Sequence, residues 1–262
     1  MSEVLNEDQS INSMTYESVD QAELDRVREK HAWIVEPIIR ASENLGRMPF
    51  FEWLGQIKHP RDFKPAALQL YYHSATFPKV MGLMLGTTPL SENKMMPFYA
   101  SHAYGEADHH EMLMSWMLQY NILQDREEIN EVILTPETNA CINLAYQLAI
   151  EQDRRKWLVA VNSGIERCSN QFFKAVAPKM HELGAGDDYF DVHVEADEHH
   201  SIMGMDYIDP QDPETTLGKH LIAKALEGIT LWGAMIHSWI GLDIFPVFDL
   251  YGNLKERRRL PV

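Results

Sequence analysis

Apolar positions recur at three- and four-residue intervals along most of this chain, the spacing of helices packed on one face. Ser18 or Asp20 can cap a first helix, in which Leu24, Val27, His31, Ile34 and Ile38 share a face; Asn44-Leu45-Gly46 closes it. A short segment from Pro49 to Ile57 carries Phe50, Phe51, Trp53 and Leu54. It stops at His59-Pro60, because a residue before proline avoids the α region. A second strong helix is predicted from Lys64 to Leu85, ended by Gly86, and a long one from about Pro97 to Tyr120. Thr135-Pro136-Glu137 is a capping residue with proline at the first helical position, and helical pattern runs from there to about Leu183 with a break near Asp153. Gly184-Ala185-Gly186 punctuates the chain. Another helix covers about Tyr189 to Tyr207, and a last one about Thr215 to Ile240. No alternating segment is flanked by hairpin chemistry, and neither a fixed-period repeat nor a domain-scale linker appears. The pattern predicts an all-α, single-domain protein of about seven main helices over residues 19–245. Residues 1–18 read as a loosely attached or disordered tail, and 246–262 as a C-terminal tail.

The length of 262 residues and the 45% hydrophobic content allow one sizeable core. With 23 basic against 39 acidic residues the formal charge is −16, which disfavours nucleic acid and anionic membranes as partners and suits cation binding. The two cysteines, Cys141 and Cys168, read as buried core thiols and exclude a disulfide scaffold. The start of the chain has no secretory pattern. The apolar stretch Leu231–Phe248 contains His237 and Asp243, so it reads as a buried core helix and not a membrane span. The expected location is cytoplasmic. Twelve histidines and fourteen methionines, with six tryptophans, imply an interior built around something.

Two segments carry the chemistry. His102-x3-Glu106-x2-His109 and His193-x3-Asp197-x2-His200 each place three donors within an arc of roughly 60° on one helix face. Imidazole and carboxylate together suit iron, manganese or zinc. Helix bundles build dinuclear iron sites from Glu and Glu-x-x-His motifs that project inward. Glu106-x-x-His109 is that motif and Asp197-x-x-His200 its shorter partner. Glu166, in an otherwise apolar segment with Trp157, Leu158, Val161 and Ile165, is a candidate bridging carboxylate, since an unpaired buried glutamate is costly. A lone Glu-x-x-His is usually a solvated face; two such segments on different helices favour metal. His110 and His199 lie off the stripes, as second-sphere or surface groups. Asp108, Glu111, Glu195 and Glu198 read as solvated, His31, His59, His181, His220 and His237 as structural, and Met112, Met114 and Met117 as core or pocket lining. Gly105 and Gly164 allow either close helix approach or substrate room. Zincin, nucleophile-elbow, P-loop and dinucleotide motifs are absent.

In these motifs the chain resembles the haem-oxygenase-like diiron oxidases and oxygenases: Glu106 and His109, then Glu166, then His193, Asp197 and His200 match in order and at plausible separations. The resemblance implies a haem-oxygenase-like helical bundle. It also implies two Fe(II) ions held by those six residues, with dioxygen as co-substrate and a peroxo-diferric intermediate. By eye, residues 65 to 205 align with the fatty-acid decarboxylase that makes 1-undecene. The alignment, anchored on Phe77-Pro78, puts Met81 where the family usually has a further Glu; either His73 or His102 substitutes as ligand or one iron is under-coordinated. In several relatives the helix bearing the last ligands is poorly ordered without metal, and Gly184-Ala185-Gly186 would permit this here.

The leading expectation is an O2-dependent enzyme that oxidises an amino acid or similar small metabolite by N-oxygenation, desaturation or bond cleavage. Arg154, Arg155 or Arg167 would hold its carboxylate. A fatty-acid decarboxylase predicts instead a long apolar channel. A metal-free thiaminase-like or quinone-biosynthesis protein of the same fold, the first requiring a reactive cysteine, and a ferritin-like iron store complete the alternatives. The aromatic segment Phe50–Trp53 looks exposed and is consistent with a homodimer.

Overall fold

A computed structural model describes residues 21–202 and 204–255. Among them are eleven α-helices. They are α1 (Gln21–Lys30), α2 (Ala32–Leu45), α3 (Pro49–Gln56), α4 (Lys64–Thr87), α5 (Met96–Gly105), α6 (His109–Gln119), α7 (Pro136–Glu151), α8 (Arg154–Trp157), α9 (Arg167–Glu182), α10 (Asp188–His200) and α11 (Thr216–Ser238). No β-strand forms among the described residues; Phe248 and Leu254 make an isolated bridge. The all-α expectation holds. The count of seven was low because short breaks split helices that the apolar pattern runs together: one at His31, one between Gly105 and His109. The polar tail 1–18, the caps Ser18 and Asp20 and the last basic residues lie outside the described residues.

Local chemistry sets several boundaries. Thr135 accepts a hydrogen bond from the Thr138 amide, with Pro136 at the first helical position. α7 ends at Gln152, whose φ is +59°, and Asp153 then accepts from the Arg155 amide to start α8, so the break near Asp153 is real. Between α8 and α9 the chain does something the apolar pattern does not announce: Leu158–Glu166 is wound as a π-helix. The predicted last core helix ends at Ser238, and the chain then leaves it, so that Phe245 and Val247 are about half exposed. The single helix expected through Phe248 is therefore wrong beyond residue 238; Gly241, at φ +75°, turns the chain away. No described helix is long and apolar enough to cross a membrane.

The layers meet around α4, the π segment, α9 and α11. α4 packs on α5, α6 and α7; α11 packs on the π segment, α7 and α2; α9 packs on α10. Buried Leu70, His73, Phe77, Val80, Met81 and Met84 follow helical spacing along α4. α11 and the π segment approach backbone to backbone. A Cβ at Gly228 would sit 2.5 Å from the Ala160 carbonyl oxygen, and one at Gly164 would sit 2.9 Å from that of Ala225. Close approach is thus the role of Gly164. The aromatic segment is not an exposed patch: Phe50 is fully buried against Phe172, and Trp53 stacks on Phe63. That removes the surface argument for a homodimer.

Candidate metal centre

Seven side chains from four stretches of chain converge in the core: His102 on α5, Glu106 in the turn after it, His109 at the start of α6, Glu166 at the end of the π segment, and His193, Asp197 and His200 on α10. All are buried. Their donor atoms form three overlapping groups: His102, Glu166 and His200; Glu106, His109 and His193; Glu106, Asp197 and His200, with the atoms of each group within 4.8 Å of one another. Glu106 and His200 each belong to two groups and tie them together. One expectation is corrected here. The trios do not each converge on one point. The turn at Gly105–Asp108 separates His102 from Glu106 and His109, and α10 divides its donors likewise, so the centre has two foci instead of two stripes.

His102 is inside the cluster, its Nε2 lying 3.3 Å from Glu166 Oε1. His73 is not: it belongs to none of the three groups and packs between Phe77 and Trp232, with ring centroids at 5.5 and 5.1 Å. Met81, which the resemblance set opposite a glutamate, is buried in the apolar core. Of the two substitutes that the sequence offered, the structure brings together only His102. Asn162, which sequence reasoning missed, links the parts. Its amide donates to Glu166 Oε1 at 3.2 Å and approaches His102 Nδ1 at 3.4 Å. The available signal was its position one turn before Glu166 in an apolar segment. Tyr189 was also missed: His193 Nδ1 donates to its carbonyl oxygen at 2.6 Å, which leaves His193 Nε2 as the nitrogen with an open lone pair.

The electrostatics show a site short of positive charge. Three carboxylates, Glu106, Glu166 and Asp197, are buried together. Burial, then repulsion from Glu106, pushes the Asp197 carboxyl well above its usual range. Burial opposes ionisation of Glu106 too, but the charges of His109, His200 and His193 and the 2.8 Å bond from His109 Nδ1 hold it below the carboxylate range. Burial would depress His200, yet Glu166, Glu106 and Asp197 lift it to about 9. His193, desolvated and beside His109, drops to about 3. Burial takes His73 down to about 4, so its imidazole is neutral. Oδ2 of Asp197 is buried with no hydrogen-bond partner, while Ser169 bonds the same carboxyl. An unpartnered carboxylate oxygen, an open imidazole lone pair and three clustered acids form a donor set that divalent cations satisfy.

The remaining expected groups fall outside. Arg154 pairs with Glu92 and Arg155 with Asp153, and neither these nor Arg167 lines the cavity beside the cluster. Asp108 and Glu111 are exposed; His110 is half-buried against Tyr71. The side chains of Glu195, Glu198 and His199 lie outside the described residues. His31 and His237 are buried away from the centre, and His181 pairs with Asp191. Met114 and Met117 are core. The glycine-bracketed loop before α10 is anchored: Trp116 Nε1 donates to the Ala185 carbonyl oxygen at 2.9 Å.

The sequence profile of a family described as iron-containing redox enzymes matches residues 64–233, which contain all seven clustered side chains. The chain belongs to this family. No curated protein matches it. Three solved structures share the fold. A TenA homologue from Pseudomonas syringae pv. tomato is 14% identical, with a TM-score of 0.67 over 87% of this chain and 100% of that one. A domain of unknown function with a heme oxygenase-like fold, from Shewanella denitrificans, is 16% identical, with a TM-score of 0.60 over 85% and 93%. A TenA homologue from Pyrococcus furiosus is 14% identical, with a TM-score of 0.53 over 84% and 97%. The expected haem-oxygenase-like bundle is therefore the fold of this family member.

Proposed function

We propose that this chain is a dioxygen-dependent non-haem diiron oxidoreductase acting on a small organic molecule. One observation carries the reading: three carboxylates and four histidines of an iron-containing redox family are buried together in two joined foci. His102, Glu166 and His200 would hold one ion, Glu106, His109 and His193 the other, with Asp197 completing the set from α10. His102 would stand in for the carboxylate that Met81 cannot supply. Bound there, two ferrous ions supply the capacity to reduce dioxygen that no side chain provides. The protein's own part is geometric. The Tyr189 carbonyl fixes the tautomer of His193, Asn162 aligns His102 with Glu166, and Ser169 holds Asp197. Phe77, Phe173 and Trp232 supply the apolar wall of the adjoining cavity, opposite its carboxylates and His193.

That cavity, about 20 Å³, has room for about one water-sized molecule and is lined by no Lys or Arg among the described residues. The long channel of a fatty-acid decarboxylase is not what borders the cluster, and an amino-acid carboxylate lacks a cationic anchor there. The metal-free thiaminase-like alternative draws on the fold shared with the TenA homologues. Against it, burial pushes the thiol of Cys141 up to about 12 and that of Cys168 higher still, and Oδ2 of Asp197 would stay buried without a hydrogen-bond partner. The deciding experiment is anaerobic loading with ferrous iron, followed by measurement of iron per chain. Two support the diiron reading; none, with candidate substrates also present, refutes it.

A further inference from the structure

Beside the cluster lie two small cavities that share a wall. The inner one, about 20 Å³, is bordered by Glu106, Glu166, His193 and Asp197. The outer one, about 10 Å³, lies between α4 and α7, among Thr76, Val80, Cys141, Ile142 and Ala145. His73, Phe77 and Ile165 line both. Thr76 and Ile142 are only half-buried, so the outer cavity reaches toward the surface. Its lining is almost wholly apolar. Thr76 and His73 are the polar side chains on it, against the roughly three partners a buried water usually has, so the walls favour an apolar gas over water. An apolar diatomic gas needs none. In the shared wall His73 makes no hydrogen bond among the described residues; its ring packs on Phe77 and Trp232, so a swing of its imidazole would cost packing but no hydrogen bond.

We propose that this pair of cavities is the dioxygen route, running between α4 and α7 and past His73 and Phe77 to the carboxylate–histidine cluster. The inference rests on the dioxygen-dependent reading above, and it separates the path of the gas from that of the organic substrate. The volumes leave room for no more than a very small molecule at a time and exclude an aromatic or aliphatic metabolite without rearrangement. The outer void adjoins Ala145 and Cys141, where one larger side chain would fill it.

The test uses dissolved oxygen itself as the probe. Methyl-labelled, full-length chain free of paramagnetic metal is examined by NMR under oxygen and under nitrogen. The methyls of Val80 and Ile165, each 1% exposed, are expected to relax faster under oxygen than those of Ile34 and Ile236, which are 0% exposed and line neither cavity. Equal relaxation at all four overturns the route. Ala145→Leu fills the outer cavity and is expected to abolish the excess at Ile165. Cys141→Met, with a more adaptable side chain, serves if the leucine variant does not fold. Persistence of the excess in a folded, filled variant also overturns the route. Iron per chain is measured separately, so uniform relaxation in a chain that binds two irons refutes the route and leaves the diiron reading intact.

Discussion

Asp197→Asn separates a metal ligand from a structural acid, because asparagine keeps the shape and removes the charge. In the metal-free chain the folded protein holds a proton that the unfolded chain releases, since burial and Glu106 raise this carboxyl above 3.8. A raised acid contributes its stability below the unfolded value and loses it as pH rises toward the folded one. At pH 7 the metal-free variant is therefore expected to melt above the wild type. Ferrous iron reverses the order. At a hundred-fold excess over Kd, a ligand bound only by the folded state stabilises it by about 2.7 kcal/mol. For a chain of this size that is a rise of about 5–10 °C in melting temperature for each ion held, and about twice that for the two proposed. The wild type should show it and the variant lose most of it. The assay is anaerobic differential scanning calorimetry at pH 7 with and without Fe(II). An unmoved wild-type melting temperature, or a variant with the full iron-induced rise, would refute the reasoning.

Other outcomes follow from the same geometry. His102→Ala is expected to lower bound iron from about two per chain toward one, as a donor of one focus is removed, while His73→Phe leaves it unchanged; metal titration under nitrogen distinguishes them. Without metal, the His200 contribution is present below 6.5 and lost as pH rises toward 9, so melting temperature falls over that interval in the metal-free chain and less in the loaded one. Gly228→Ala puts a Cβ 2.5 Å from the Ala160 carbonyl oxygen; overpacking of about 1–3 kcal/mol exceeds or offsets the ~1 kcal/mol helix gain, and urea denaturation should show net loss or no gain. Cys141 and Cys168 should resist alkylation at pH 8 until the chain unfolds, as read by mass spectrometry.

Much of the candidate site was legible because groups able to hold a metal on a helix betray themselves by spacing. Glu-x-x-His keeps the carboxylate and imidazole within reach even where, as at Glu106 and His109, the helix is interrupted between them. The interruption itself was hidden, since apolar periodicity continues on both sides of Gly105. So was the division of donors between two foci, which depends on how α10 faces α5 and not on either segment alone. Asn162 and Tyr189 escaped notice for a related reason: one acts through an amide among apolar neighbours, the other through a backbone carbonyl that any residue carries. The exposed look of Phe50 and Trp53 came from their crowding in a short segment; α9 and α11 cover them. His73 was drawn toward the ligands by its place on α4, and only the packing of Trp232 shows that its ring is occupied elsewhere.

The π winding of Leu158–Glu166 makes the centre depend on how many residues the chain has there, and not only on which. A π turn carries a surplus residue relative to α winding, and such surpluses gather at functional sites. Removing one residue between Leu158 and Ile165 would let the segment relax to an α-helix and turn Glu166 by about 100° away from His102 and His200. The close approach of Gly164 and Ala160 to α11 would be lost with it, since both lie in the shortened stretch. A single-residue deletion in this stretch is thus a far sharper lesion than any conservative substitution in it, because it would take Glu166 out of the cluster.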